Sequence, residues 1–100
     1  MYVLIFNFHT APTEAIKQAH RQYLESKISE GKLIAAGAAN VSILHENSTQ
    51  AGAVLLATCH DLSDAKELFD ADPYANCSDG IIAEFKAKLV GESYHNLSQL

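Results

Sequence analysis

Phe69-Asp70-Ala71-Asp72-Pro73-Tyr74 is the stretch from which the rest of the chain can be laid out. Pro73 fixes its own φ and lacks an N–H, so a helix running up to it must stop or restart there. Asp72, just before Pro73, suits the N-cap of a new short helix with Pro at its first position. Upstream, Leu62, Ala65, Leu68 and Phe69 share one face of a helix that ends at this stop. Asp61 and Asp64 resemble a capping box at its start. Taken alone, Asp-Pro is a helix stop and cap. It gains interest from His20, which lies on the inward stripe of an earlier helix. A buried imidazole requires a partner, and a carboxylate at a turn can supply one.

The chain on either side of this stop reads as strands and one further helix. Tyr2 to Phe8 is rich in β-branched and aromatic residues, with Tyr2, Leu4, Phe6 and Phe8 on one face and Val3 and Ile5 on the other. Apolar residues on both faces mark a central strand covered on both sides. Pro12 suits the first helical turn, with Thr10 or Ala11 just outside it. Ile16, His20, Tyr23, Leu24, Lys27 and Ile28 then form the stripe of a helix of about four turns, and Gly31 stops it. Lys32 to Val41 is a second strand, in which Gly37 suggests a bulge or a close backbone approach. His45 to Gln50 is a loop. Ala51 to Cys59 is a third strand, with Ala53, Leu55 and Ala57 against Val54 and Leu56. Asp79-Gly80 leads into a fourth, Ile81 to Leu89, where Ile81, Ala83, Phe85 and Ala87 alternate with Ile82, Glu84, Lys86 and Lys88. That half-polar alternation marks an edge or partly covered strand.

The order is β-α-β-β-α-β, an α+β arrangement with an antiparallel four-stranded sheet. Right-handed crossovers place both helices on one sheet face, with the first and third strands side by side in the centre. Two helices cover one face, yet the central strands are apolar on both. The second face therefore calls for another copy of the chain, in a homodimer or a higher oligomer built from it. A monomer with its tail folded over that face is the alternative. Residues 1–91 form the domain, and residues 92–100 a polar tail with Tyr94 and Leu97 as its sizeable anchors.

Composition narrows the function. The chain has 100 residues, 48% hydrophobic and 19% charged, as in a globular domain. Seven Lys and Arg against twelve Asp and Glu give a formal charge of −5, which argues against a nucleic-acid or anionic-membrane surface. Cys59 and Cys77 form no metal-type spacing and read as reduced thiols of a cytoplasmic protein. No apolar run approaches the roughly 20 residues of a membrane span. The run Tyr2 to Phe6 lacks a basic flank and a cleavage site, so it reads as a strand and not a signal peptide.

His20 is the leading candidate for chemistry, since imidazole can give or take a proton near neutrality. Asp72 can orient it by accepting an N–H bond. The plainer alternative is a satisfied core histidine. Asp70 reads as a solvated helix-end residue. Tyr74 is a packing residue or an acid, and His9 is an exposed strand-end residue or the edge of the same pocket. His45, His60 and His95 carry no assigned role. Cys59-His60-Asp61 holds ligand types, but consecutive strand residues point apart, so no metal site is expected there. Glycine-rich phosphate loops, GxSxG and Walker motifs are missing.

Three blocks carry a family resemblance: His20-Arg-Gln-Tyr-Leu24, Glu30-Gly-Lys-Leu-Ile-Ala-Ala-Gly37 and Phe69-Asp-Ala-Asp-Pro-Tyr74. With them, residues 2 to about 88 resemble the YCII-related (YciI-like) family. The resemblance implies a ferredoxin-like fold that associates as a dimeric α+β barrel, similar to muconolactone isomerases. It also implies an active-site histidine and aspartate, which fall on His20 and Asp72. Tyr74, Gly37 and His9 are the expected substrate-binding residues. Some relatives act on small cyclic compounds as dehydrochlorinases. The expected function is therefore a lyase or isomerase without a cofactor, acting on a small cyclic or acidic metabolite. The alternative is a non-catalytic ligand-binding or structural domain. Where the family often has Gly-Pro, this chain has Gly37-Ala38.

Overall fold

The computed structural model describes residues 1–99. Strands β1 (Tyr2–Phe8), β2 (Leu33–Ile43), β3 (Ser48–Ala57) and β4 (Ser78–Glu84) form one antiparallel sheet in the order β2-β3-β1-β4. Helix α1 (Glu14–Ser29) follows β1, and α2 (Leu62–Ala71) follows β3. A 3-10 turn, Pro73–Cys77, joins α2 to β4, and a second, Glu92–Gln99, lies beyond the sheet. The architecture is the α+β one expected, with β1 and β3 central. Among the described residues, no helix is long and apolar enough to cross a membrane.

The core lies between the sheet and the helices. In register, Tyr2 faces Ala57, Leu4 faces Leu55 and Phe6 faces Ala53, so large side chains of β1 sit beside small ones of β3. All six are buried. Phe69 of α2 stacks on Phe6 with ring centroids 4.2 Å apart. Gly80, opposite Phe6 on β4, makes room for it, because a Cβ there would run into the Phe69 ring. Side chains of the other parity, Val3, Ile5, Val54 and Leu56, are half-buried on the helix-free face.

Local signals set most element ends. Asp61 caps α2 by accepting from the Asp64 N–H at 2.8 Å. Gly31 takes φ +75° just past α1, the left-handed conformation that glycine adopts most easily. Helix α1 starts later than Pro12 suggests. Its cap is Thr13, whose hydroxyl accepts from the Ile16 N–H at 3.2 Å, and Pro12 precedes the helix.

Four other expectations are corrected. Strand β4 begins at Ser78 and stops at Glu84, although its alternation continues to Leu89. Glu84 pairs with Tyr2, and the Phe85 N–H reaches the Met1 carbonyl at 2.9 Å. The bulge in β2 falls between Leu33 and Ala35, while Gly37 pairs regularly with Val54 and a Cβ on it would meet open space. The close backbone approach lies at Gly52. The loop before β3 is shorter than expected, because pairing of β2 with β3 continues to Ile43 and Ser48. Ile28 and Leu62, assigned to inward stripes, are 50% and 47% exposed.

Candidate functional site

Small side chains create the site. On the hairpin β2–β3 the cleft is lined by Gly37, Ala38, Ala39, Ala51, Gly52 and Ala53, residues too small to fill the space below α1. Helix α1 in turn buries only one side chain, His20. The result is a cleft of about 830 Å³ between α1 and the hairpin.

His20 sits on the wall of this cleft at 8% exposure. Its Nδ1 lies 2.7 Å from Asp72 Oδ1, across 52 positions of sequence. Asp72 holds its place through the turn that the Asp-Pro pair dictates. It closes α2 and caps the 3-10 turn, accepting from the Tyr74 N–H at 2.9 Å with the same Oδ1. Its side chain is fully buried, and Oδ2 has no partner among the described residues.

Tyr74 stacks flat on the His20 ring, centroids 3.6 Å apart and planes within 10°. Phe8 packs nearly perpendicular to Tyr74, with ring centroids 4.9 Å apart. The imidazole is thus held by a carboxylate at one nitrogen and an aromatic face along its plane. With Nδ1 committed to Asp72, Nε2 is the nitrogen left for a ligand. Tyr74, Gly37 and His9 all line the same cleft. His9 is exposed at its edge and shares a 2.9 Å hydrogen bond with the Thr10 hydroxyl. Lys17 and Arg21 line it too, although their sequence positions read as the outer side of the helix. Their spacing of −3 and +1 from His20 was the available signal. His45 and His60 are exposed and stand apart from the cleft.

The phenols near the pair stay protonated. Burial pushes the Tyr23 pKa up to about 12, helped by the Asp72 charge. Its hydroxyl donates to the Leu68 carbonyl at 2.7 Å and ties α1 to α2. Burial, then Asp72, also raises the Tyr74 pKa. Because the folded chain holds the Tyr23 proton more tightly than the unfolded chain, its contribution to stability is present below about pH 10. It is lost as pH rises through about 12. Tyr23→Phe should cost about 0.5–1.5 kcal/mol at neutral pH and flatten the alkaline loss of stability. Urea unfolding from neutral to alkaline pH checks this. An alkaline limb identical in the two proteins would exclude Tyr23 as its source.

Both cysteines are free, and burial pushes the Cys59 thiol up, with Asp64 adding to it. Among the described residues, no cluster of His, Cys, Asp and Glu could hold a metal ion.

Comparison with curated proteins yields no match. Among solved structures, the chain is similar to a 5-chloro-2-hydroxyhydroquinone dehydrochlorinase from Burkholderia phenoliruptrix, determined in complex with 2,5-dihydroxybenzoquinone. The TM-score is 0.53 at 17% identity, with 88% of this chain and 96% of that one covered. At that identity the likeness speaks for the fold. The YCII-related domain matches residues 1–88, which include all four strands and the His20 and Asp72 blocks. The chain belongs to the YCII-related family.

Proposed function

We propose that this protein is a lyase or isomerase that moves a proton on a small cyclic or acidic metabolite, with His20 as general acid and base. The observation that carries the proposal is the 2.7 Å His20–Asp72 contact beside an open cleft. Asp72 accepts the Nδ1 hydrogen and leaves the Nε2 lone pair for the substrate. A proton taken from a carbon next to a carbonyl or enol would then sit on Nε2. The imidazolium formed is balanced by Asp72 and faces the Tyr74 ring. Returning that proton to another carbon completes an isomerisation, and loss of a leaving group completes an elimination. The chain's own imidazole is the base, so the chemistry calls for no cofactor. Tyr74, Gly37 and His9 contribute walls of the substrate site. The solved relative, named as a dehydrochlorinase and bound to a small quinone, supports this substrate size.

The test is a screen of small chlorinated hydroquinones, lactones and cyclic keto acids. Proton exchange or product is followed by NMR, with His20→Asn as the control. Conversion by the wild type that persists in His20→Asn would remove His20 from the chemistry.

One observation favours the non-catalytic alternative. His20 is the single buried side chain of α1, so its bond to Asp72 also locks that helix to the turn after α2.

We further propose a homodimer through the helix-free sheet face, in a cytoplasmic protein whose domain ends near Gly91. Across β3, β1 and β4, Val54, Ile5 and Ile81 form one apolar row, and Leu56, Val3 and Ala83 form the next. Ile81 is 49% exposed and Phe85 48%. Leaving several such side chains in water forgoes roughly 1.5–3 kcal/mol each. Sedimentation should show twice the 10.9 kDa chain mass, and Ile5→Lys should yield the monomer. A wild type that sediments as a monomer at micromolar concentration would defeat the proposal.

A further inference from the structure

We infer that the ligand of the cleft is an organic monoanion, its carboxylate bound by Lys17 and Arg21 and its apolar ring lying on the alanine floor. This rests on the cleft being the substrate site. The chain carries twelve Asp and Glu against seven Lys and Arg. Yet among the described residues no acid lines the cleft, while two of the seven cations do. In a protein of net charge −5 the lining of the cleft thus offers an anion two cations and no carboxylate, the acids Glu14, Glu25 and Asp72 being partners of Lys17, Arg21 and His20.

The two cations are placed to act together. Lys17 and Arg21 stand one helical turn apart on α1, at i and i+4, and so are neighbours on one helix face. Both are available. Lys17 Nζ lies 3.4 Å from Glu14 and Arg21 Nε 3.3 Å from Glu25, in pairs whose acids are 86% and 68% exposed. Exposed pairs of this kind contribute little and exchange readily for a ligand. A guanidinium can grip a carboxylate with two parallel N–H bonds. Below this mouth the wall turns apolar, with Phe8, Leu24, Ala51 and Ala53, while Asn40 and Gln50 supply uncharged polar groups. Two cations above an apolar floor match one carboxylate on a small ring and are too few for a polyanion.

Titration with benzoate and its neutral isostere benzamide, followed by NMR at low salt, tests the inference. The wild type should bind benzoate about tenfold more tightly than benzamide, which corresponds to ~1.4 kcal/mol. Added salt should shrink that preference. The Lys17→Gln, Arg21→Gln double variant should lose it and keep its benzamide affinity, because both side chains are exposed and outside the core. Equal binding of the two probes, no binding of either at millimolar concentration, or a preference that survives the double variant would overturn the inference. Turnover is read separately. A protein that prefers benzoate but converts nothing keeps the carboxylate site and loses the catalytic reading. One that converts neutral cyclic substrates without preferring benzoate does the reverse.

Discussion

Replacing His20 with Phe is expected to destabilise the protein by about 3–5 kcal/mol and to remove the turnover of any substrate the wild type converts. The cost comes from Asp72. Its carboxylate is fully buried, Oδ1 serves His20 and the Tyr74 N–H, and Oδ2 has no partner among the described residues. Removing the imidazole leaves a buried charge with a single N–H bond. Phe is similar in size and can keep the stack on Tyr74, so the loss reports on the stranded carboxylate and not on a cavity. Asp72→Asn should cost less, about 1–3 kcal/mol, since the amide oxygen can still accept at the Oδ1 position while its NH2 lies where no acceptor waits. Activity in that variant should fall by about 10²–10⁴-fold, the usual worth of an oriented general base. The double variant should be more stable than His20→Phe alone, because it removes the stranded charge. Urea unfolding of the three variants, with turnover alongside, separates the roles. Unchanged stability in His20→Phe would show that the pair does not tie α1 to the turn. Activity surviving in both single variants would leave the pair structural only.

Gly52→Ala should destabilise the fold by at least about 3 kcal/mol, lowering Tm by more than about 10 °C in a domain of this size. Gly52 is buried in β3 between Asn7 of β1 and Ala39 of β2. A Cβ there would collide with the Phe6 carbonyl oxygen, and it would also press on Val41 Cγ2 at 3.2 Å. The obstacle is backbone in the central strand, so no side-chain rotation relieves it, and β1 and β3 must separate at the floor of the cleft. Gly37→Ala is the control. Its Cβ would meet open space, so the change should be neutral or stabilising by up to about 1 kcal/mol. Equal melting temperatures for Gly52→Ala and the wild type would show that this part of β3 can yield.

The two glycines mark where sequence reasoning succeeds and where it stops. Gly37 stands out in the sequence because it interrupts an apolar strand, but what approaches a glycine depends on the neighbouring strands. Gly52 lies in an equally plain run, Ala51-Gly52-Ala53, and its crowding comes from Phe6, which is 46 positions away. The Lys17 and Arg21 positions were likewise visible in the helix pattern. Only the recess left by the alanines turns them toward a cavity.

What the sequence determined by itself is local or periodic. The apolar rhythm of two or about 3.6 residues identified the strands and helices and their order. The caps at Asp61 and Asp72 and the stop at Gly31 are bonds or conformations within a few residues. The two-faced character of β1 and β3 follows from composition alone. Tertiary structure decided whatever needs a distant partner. It ended β4 at Glu84, where the pairing with β1 reaches Tyr2. It set α1 above a floor of alanines too small to meet it, which opened the cleft. It also brought Asp72 to His20 within 2.7 Å, because the cap that orients the carboxylate is local but the docking of α1 against that turn is not.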